Sequence, residues 1–342
     1  MRILVVRYRF IGDTILTVPF LRNLRRFYPD AKIDMLVAPV SGELLEPCPY
    51  IDNLFYFDTT RKHRYEFGKA KKKSFFHYVK LLRAQKYDKV YVLKRSLSSA
   101  MLCAFAGIPQ RIGFNTEGRG FLLTQKVPYD SSKHEVESFL DVLKADNIPV
   151  EDDYLELWLD EQDIIKAKEI LNKYSSGGCR NVIVHATSGN PKKQWKMEYF
   201  AKIIEKLSNE KEVRIFHLGA KSDRVVYEKI RSMINVPLDI EPVNLCGEMD
   251  LRLSAAFISL MDLVFGNDSG TFHVAGALNV PTVVIYGPMD YHKWRVWNKN
   301  TRALSANIPC YPCNLKTKCK EDYACLEAIT PDIALNFIDK ML

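Results

Sequence analysis

The sequence predicts an α/β protein with two Rossmann-like domains, each a parallel sheet flanked by helices. Short β-branched runs alternate with amphipathic helical stretches in both halves of the chain, and an acidic segment at 151–163 interrupts that alternation. The length of 342 residues also suits about two ordinary domains. We therefore place the domains at 1–155 and 165–328, and we expect a helix over about 330–342 to pack back on the first domain.

In the first half, short apolar runs predict the strands. Apolar residues then repeat at helical spacing over 14–27, and Pro29 with Asp30 ends that helix. The predicted strands of this half lie at 3–6, 33–37 and 89–93. The loop at 7–12 therefore follows the end of a buried strand.

The second half repeats the same alternation of strands and helices. Its predicted strands lie at 181–185, 213–218, 263–266 and 282–286, and its predicted helices lie at 197–208, 223–234 and 271–278. Loops and helix N-termini converge at the carboxyl ends of parallel strands. Two such domains facing one another are therefore expected to bind a ligand in the cleft between those ends.

The composition is that of a globular protein with a basic excess. Hydrophobic residues make up 47%, charged residues make up 26%, and the net charge is +8. The stretch 61–89 holds eleven Lys or Arg against two acids. Two explanations stay open for this stretch: a solvated helical face with a basic loop, or a surface for an anionic partner such as nucleic acid, a phosphate-rich ligand or an acidic membrane.

The chain shows no pattern typical of export or of membrane insertion. The N-terminal apolar run 3–6 is too short for a signal peptide, and the longest apolar stretch, 253–265, is broken by Asp262. We therefore expect a soluble, cytoplasmic protein, and the basic stretch 61–89 would let it contact the inner face of the cytoplasmic membrane peripherally.

The stretch from Asn267 to His273 follows a predicted buried strand and opens a helix. Such a position presents backbone N–H groups and the positive end of the helix to an anion, and Gly270 lets the backbone approach it closely. A helix N-cap followed by a core histidine explains the same residues equally well.

The stretch Phe10-Ile11-Gly12-Asp13 stands at the mouth of the first strand. Gly12 is expected to permit a tight turn, and Asp13 lies where the first helix begins. The carboxylate is a candidate general base aimed into the cleft. A simple helix N-cap is the alternative interpretation.

A third motif combines hydroxyl groups with a lysine. The strand end at 185–188 supplies Thr187 and Ser188, and Lys193 follows within 192–195. Hydroxyls and an ammonium group suit phosphate oxygens. A surface lysine with no ligand is the alternative.

Three common nucleotide-binding patterns are missing from the sequence. The chain contains no G-x-G-x-x-G, no G-x-x-x-x-G-K-[ST] and no Asp-x-Asp. A nicotinamide or flavin fingerprint and a P-loop are therefore excluded. The phosphates of any bound nucleotide would have to be neutralised by lysine, hydroxyls and a helix N-terminus rather than by a bound cation.

Four of the eight cysteines cluster near the C-terminus with the spacing C-x2-C-x5-C-x5-C. They are Cys310, Cys313, Cys319 and Cys325. Four thiolates can hold a tetrahedral structural zinc ion, which would leave no open position for catalysis. Reduced buried thiols and disulfides are the other interpretations.

Nearly the whole chain resembles the ADP-heptose:lipopolysaccharide heptosyltransferase family, glycosyltransferase family 9. The matching stretches are the opening Met-Arg-Ile-Leu-Val-Val with Gly12-Asp13, Gln110–Phe114 with Glu117–Gly120, Lys193-Gln194-Trp195, Asn267–Pro288, and the cysteines with Ile329–Pro331. The Asp-Ser-Gly-x-x-His helix start is the most specific of them. Thr271 and Phe272 replace the pairs that are commoner in the family. The resemblance implies a GT-B fold.

The resemblance also implies roles for individual residues. Asp13 would be the base that deprotonates the acceptor hydroxyl. The donor would be bound by Thr187, Ser188, Lys193, Asp223, Met249, Asp268, Ser269, Gly270, Thr271 and His273. The acceptor would be bound by Arg61, Lys62, Arg64 and Arg119.

The implied activity is inverting transfer of heptose from ADP-heptose to the lipopolysaccharide inner core, either Kdo-lipid A or heptosyl-Kdo. No cofactor is expected in catalysis, and the basic stretch 61–89 would serve the anionic acceptor or the membrane surface. Three alternatives remain: a GT-B transferase for another nucleotide-sugar in lipopolysaccharide or capsule assembly, a nucleotide-sugar epimerase, and a nucleic-acid-binding module. The ordered anion-site motifs argue against the last, and no nucleic acid partner is expected.

Overall fold

A computed structural model of the protein describes residues 1–58, 73–174, 178–210 and 212–342. These residues divide into two compact units, Met1–Trp158 and Leu159–Leu342. Each unit contains a six-stranded parallel sheet with helices, so the predicted α/β fold class is confirmed. Within the described ranges, no helix is both long enough and apolar enough to cross a bilayer.

The first unit contains the three strands that the sequence predicts and three more. The strands are β1 (Arg2–Val6), β2 (Lys32–Val37), β3 (Asn53–Tyr56), β4 (Lys89–Val92), β5 (Gln110–Phe114) and β6 (Gln125–Val127). The helices are α1 (Ile11–Ile15), α2 (Val18–Phe27), α3 (Pro39–Gly42), α4 (Phe75–Ala84), α5 (Leu97–Phe105) and α6 (Glu135–Ala145). The strand order is β3-β2-β1-β4-β5-β6.

The second unit has a sheet of the same topology. Its strands are β7 (Arg180–His185), β8 (Val213–His217), β9 (Val243–Asn244), β10 (Leu263–Asn267), β11 (Thr282–Tyr286) and β12 (Thr301–Ser305). Its helices are α7 (Glu161–Asn172), α8 (Met197–Glu210), α9 (Arg224–Ser232), α10 (Leu251–Ile258), α11 (Gly270–Ala277), α12 (Tyr291–Trp294), α13 (Ala324–Glu327) and α14 (Pro331–Asp339). The strand order is β12-β11-β10-β7-β8-β9.

In both units the first and fourth strands lie side by side at the centre of the sheet. β1 pairs with β4, and β7 pairs with β10. These central strands are apolar runs because helices cover both faces of the sheet; Ile3–Val6, for example, are fully buried. The chain leaves such a pair in opposite directions, so a crevice opens at the carboxyl ends of the two strands. The candidate residues Asp13, Lys193 and Asp268 follow strands of these two pairs in the chain.

The acidic segment that the sequence places as a linker is partly bound to the first unit. Arg22 on α2 is 1% exposed, and its guanidinium bonds the carboxylates of Asp152 at 2.5 Å and Glu156 at 2.8 Å. A buried guanidinium needs such anionic partners. The acids therefore serve as counter-ions for a helix of the first unit, and the division of the chain falls after Trp158.

The C-terminal helix is where the prediction was wrong. We expected it to pack on the first domain, but α14 lies in the second unit. Its buried residues Ala334, Leu335 and Ile338 belong to the same core cluster as Phe200 and Leu207 of α8. The physical reason is that the apolar face of α14 completes the core of this α/β layer, against α8 and β11.

Replacing Thr330 by alanine should lower the stability of the protein modestly. The Thr330 side chain caps α14 by accepting the N–H of Ile333, and loss of such a cap costs about 1 kcal/mol. Urea denaturation would measure the free energy of unfolding, and Thr330→Ser, which keeps the hydroxyl, is the matched control. Equal stability of both variants and the parent would show that this cap contributes nothing.

Candidate active site

Asp13 lies in the first turn of α1, just beyond the end of β1. Its Oδ2 atom is 2.8 Å from Nη2 of Arg7, and the two side chains are only 11% and 4% exposed. The prediction that Gly12 makes the tight turn was wrong, because Gly12 lies inside α1. Arg9 and Phe10, with φ of 89° and 61°, make the turn instead.

The surroundings of Asp13 favour a carboxylate that accepts protons. Burial raises the pKa of Asp13, and the charge of Glu135 raises it further. Arg7, Lys94 and Arg95 act in the opposite direction and lower it. A poorly solvated carboxylate is a stronger base than one in water, so the site suits proton abstraction from a hydroxyl.

Arg119, a predicted acceptor residue, is bonded to backbone carbonyls of its own unit, and its role at an acceptor stays a prediction. Its side chain is fully buried, Nε donates to the Phe114 carbonyl oxygen at 2.9 Å, and Nη1 donates to the Lys94 carbonyl oxygen. Burial lowers the pKa of Arg119 to about 10. Arg119 therefore connects the end of β5 with the segment that follows β4. The other predicted acceptor residues, Arg61, Lys62 and Arg64, lie outside the described residues.

In the second unit, Asn267 ties the loops that follow β7 and β10. It is fully buried, its Nδ2 donates to the Ala186 carbonyl at 2.7 Å, and its Oδ1 accepts the N–H of Trp195 at 2.9 Å. The neighbouring Gly266 has φ of 145°, and a Cβ there would lie 2.0 Å from the His185 carbonyl oxygen. Only glycine therefore permits this close approach of the two strands.

Three predicted donor-site residues meet at this point. The ammonium of Lys193 forms an ion pair with the Asp268 carboxylate, and the two side chains are 19% and 10% exposed. The Ser188 hydroxyl donates to the Asp268 carbonyl oxygen at 3.3 Å. Because Asp268 already neutralises Lys193, an incoming diphosphate has to compete with that carboxylate for the ammonium.

Two buried polar atoms lie at the beginning of α11. Neither Oγ of Ser269 nor Nδ1 of His273 has a hydrogen-bond partner among the residues that the structure describes. Burial lowers the pKa of His273 to about 4, so its imidazole is neutral at neutral pH. Gly270 and Thr271 form the first turn of α11, where backbone N–H groups have no partner within the helix. Unpaired buried polar groups cost free energy, and they mark a position for a polar ligand.

The remaining predicted donor residues are Thr187, Asp223 and Met249, of which the first two are buried. Thr187 is 1% exposed and bonds the Tyr227 hydroxyl. Asp223 is 2% exposed, and its Oδ2 accepts the N–H of Ala220 at 3.0 Å. Met249 is half-buried in the loop before α10. The predicted donor-binding roles of Asp223 and Met249 stay predictions, and in the structure Asp223 forms a local bond to the backbone.

A sequence model described as glycosyltransferase family 9 (heptosyltransferase) matches residues 75–324. The chain belongs to this family. It is 30% identical over 312 residues to lipooligosaccharide heptosyltransferase 2 of Haemophilus influenzae, with 84% of each chain covered. It is 27% identical over 299 residues to lipopolysaccharide heptosyltransferase 2 of Escherichia coli K12, covering 84% of this chain and 83% of that one. This family 9 protein is therefore a glycosyltransferase, as the sequence predicts.

Solved structures show the same fold. The E. coli ADP-heptose lipopolysaccharide heptosyltransferase II has a TM-score of 0.79 at 24% identity, covering 100% of this chain and 98% of that one. A family 9 glycosyl transferase from Veillonella parvula has a TM-score of 0.82 at 21% identity, covering 99% and 96%. The GT-B fold predicted for the chain is confirmed.

The cysteine cluster of this heptosyltransferase-family chain lies beside the donor-site loops. All four thiols are free, and they line one cavity with Lys192 and Pro288. Among the described residues, no three His, Cys, Asp or Glu side chains are arranged to hold a metal ion. The structural zinc ion stays a prediction, which metal analysis of the purified protein would test.

Sequence analysis missed three charged residues that lie close to Asp13. It assigned no role to Arg7, Lys94 or Glu135, although all three surround Asp13. Arg7 carried a signal, because it directly follows the apolar run of β1 at a carboxyl end of the sheet. Glu135 carried none, because it lies far along the chain and reaches Asp13 only through the fold.

Proposed function

We propose that this family 9 enzyme transfers heptose from ADP-heptose to a hydroxyl of the lipopolysaccharide inner core, with inversion at the anomeric carbon. The observation that carries the proposal is the group of Ser269, His273 and Lys193 around the start of α11. Their unpaired polar atoms and positive charge suit a diphosphate joined to a sugar. The names of the curated relatives support heptose as that sugar.

The donor would bind the second unit through its diphosphate. Lys193 would exchange Asp268 for phosphate oxygens, and the N–H groups of Gly270 and Thr271 would face the same anion. Asp268, once released, is an acceptor for sugar hydroxyls. An E. coli heptosyltransferase of similar fold was solved with ADP, which supports adenine as the base.

In the transfer step, Asp13 takes the proton of the acceptor hydroxyl while that oxygen attacks the anomeric carbon. The bond between this carbon and the phosphate oxygen breaks, and ADP leaves with its electron pair. Lys193 and the N–H groups at α11 stabilise the charge that develops on ADP. The step needs no metal ion, because these groups supply the positive charge.

The acceptor in this proposal is an anionic glycolipid, Kdo-lipid A or its heptosyl-Kdo product. The net charge of +8 favours such a partner. Because the acceptor is anchored in the inner leaflet, the enzyme would work in the cytoplasm at the membrane surface. These placements are consistent with the relatives, which are named for lipopolysaccharide or lipooligosaccharide synthesis.

Isothermal titration with ADP-heptose, ADP, UDP and GDP tests the donor half of the proposal. We expect micromolar-range binding of the two adenine ligands and weak or no binding of the others. Selective binding of UDP or GDP would keep the GT-B transferase and replace heptose by another nucleotide-linked sugar. Incubation with donor alone separates transfer from epimerisation, since only an epimerase would change the sugar without an acceptor.

A further inference from the structure

Four cations follow the two central strands of the first unit. Arg7 and Arg9 follow β1, and Lys94 and Arg95 follow β4, which is the parallel neighbour of β1. The charges of Arg7, Arg9 and Arg95 lower the pKa of Lys94, and the charge of Asp13 raises it. These groups therefore lie close together in one site. The carboxyl ends of these strands therefore carry a concentration of positive charge beside the candidate base.

Only part of this charge is neutralised by ion pairs within the described residues. Arg7 pairs with Asp13 at 2.8 Å, and Nη1 of Arg95 bonds both oxygens of Glu135 at 2.7 and 2.9 Å. Lys94 and Arg9 have no ion pair in the described part of the chain. Among the described residues, these four cations are paired with two carboxylates. The group therefore keeps a net positive charge, which favours the binding of an anion.

The two unneutralised cations are also half-buried. The Nε atom of Arg9 is buried without a hydrogen-bond partner in the described ranges. Burial, with the charges of Arg7 and other arginines, lowers the pKa of Lys94 to about 8. Buried donors and crowded cations cost free energy until an anion satisfies them.

The main chain is held in place at both residues. Arg9 has φ of 89°, an unfavourable left-handed conformation for a residue with a Cβ. The carbonyl oxygen of Lys94 accepts from the buried guanidinium of Arg119 and, at 2.9 Å, from the Ser99 hydroxyl. These features fix the points of the main chain from which the two cationic side chains extend.

We propose that Arg9 and Lys94 form a subsite for an acid group, a carboxylate or a phosphate, carried by the acceptor close to the hydroxyl that Asp13 deprotonates. This inference rests on the proposed function, because it takes Asp13 as the base and the acceptor as anionic. It assigns Arg9 and Lys94 to acceptor recognition and assigns Arg119 to positioning Lys94. A neutral sugar alcohol in place of the acid would leave both cations unsatisfied.

The test measures binding of Kdo-lipid A, dispersed in detergent, to the parent and to Lys94→Met. We expect acceptor affinity to fall roughly tenfold to a hundredfold in the variant, because a charge-assisted hydrogen bond is lost, and KM for the acceptor to rise more than kcat falls. Lys94→Arg keeps the charge and should recover part of the affinity. Lys32→Met is the matched control, since Lys32 is exposed at the amino end of β2.

Two further measurements separate the outcomes. A circular dichroism spectrum and a thermal unfolding transition like those of the parent show that Lys94→Met is folded, and donor binding by the parent tests the proposed function independently. Equal acceptor affinity in parent and Lys94→Met, or no acceptor affinity in a parent that binds the donor, would overturn the subsite. Carboxyl-reduced and dephosphorylated acceptors identify the acid group, since only loss of the recognised group should abolish the difference between parent and variant.

Discussion

Asp13→Asn is expected to lower kcat by roughly 10²- to 10⁴-fold while leaving ADP-heptose affinity nearly unchanged, because the substitution removes the general base and changes none of the groups assigned to the donor. Asparagine keeps the size of the side chain and cannot accept the hydroxyl proton. The residues assigned to the donor belong to the second unit of the chain, whereas Asp13 belongs to the first. Steady-state kinetics and donor titration on the same preparation measure the two effects.

The dependence on pH gives this prediction a second readout. The base must be deprotonated to act, and burial raises the pKa of Asp13. Activity of the parent should therefore fall on the acid side at a pH above the ordinary carboxyl range, and this limb should vanish in the residual activity of Asp13→Asn. Asp30→Asn is a control at an exposed acid. Near-normal turnover of Asp13→Asn would remove Asp13 from the role of base.

Lys193→Met is expected to lower kcat by roughly 10²- to 10³-fold and to weaken donor binding as well. The ammonium would face the diphosphate in the ground state and the growing charge on ADP in the transition state, and groups of this kind supply that much catalysis. The loss also leaves Asp268 without its partner close to a phosphate, which adds repulsion.

A neighbouring lysine provides the comparison for Lys193. Lys192→Met changes the same charge at an exposed position one residue away and should leave kcat within a few-fold of the parent. The double change Lys193→Met with Asp268→Asn removes the repelling carboxylate, so part of the donor affinity should return. Equal activity of Lys193→Met and Lys192→Met would show that the Lys193 ammonium has no specific role in catalysis.

Sequence patterns predict the central strands well and the outer strands poorly. β1, β7 and β10 are apolar runs because helices cover both faces of the sheet, and such runs stand out. The missed β9 has two residues, and β6 has three, of which one is buried. Short, half-exposed strands at a sheet edge carry too few apolar residues to show a period of two.

The candidate site shows a similar limit. Motifs locate Asp13, Lys193 and Asp268 because each follows a strand of a central pair, where the topology dictates a crevice. They do not show which way a guanidinium points, and two nitrogens of the Arg119 guanidinium donate to backbone carbonyls. The cations at Arg9 and Lys94 converge only through the pairing of β1 with β4.

The ion pair between Lys193 and Asp268 has a consequence for the enzyme between turnovers. A bare ammonium in a half-buried pocket would attract abundant small anions, and each of them would inhibit the reaction by occupying the site. In the proposed mechanism, the Asp268 carboxylate would act as an internal counter-ion that a weakly held anion would not displace but a multidentate diphosphate would. After transfer, the return of Asp268 to Lys193 would help to expel ADP, so the same contact would protect the resting site and speed the release of product.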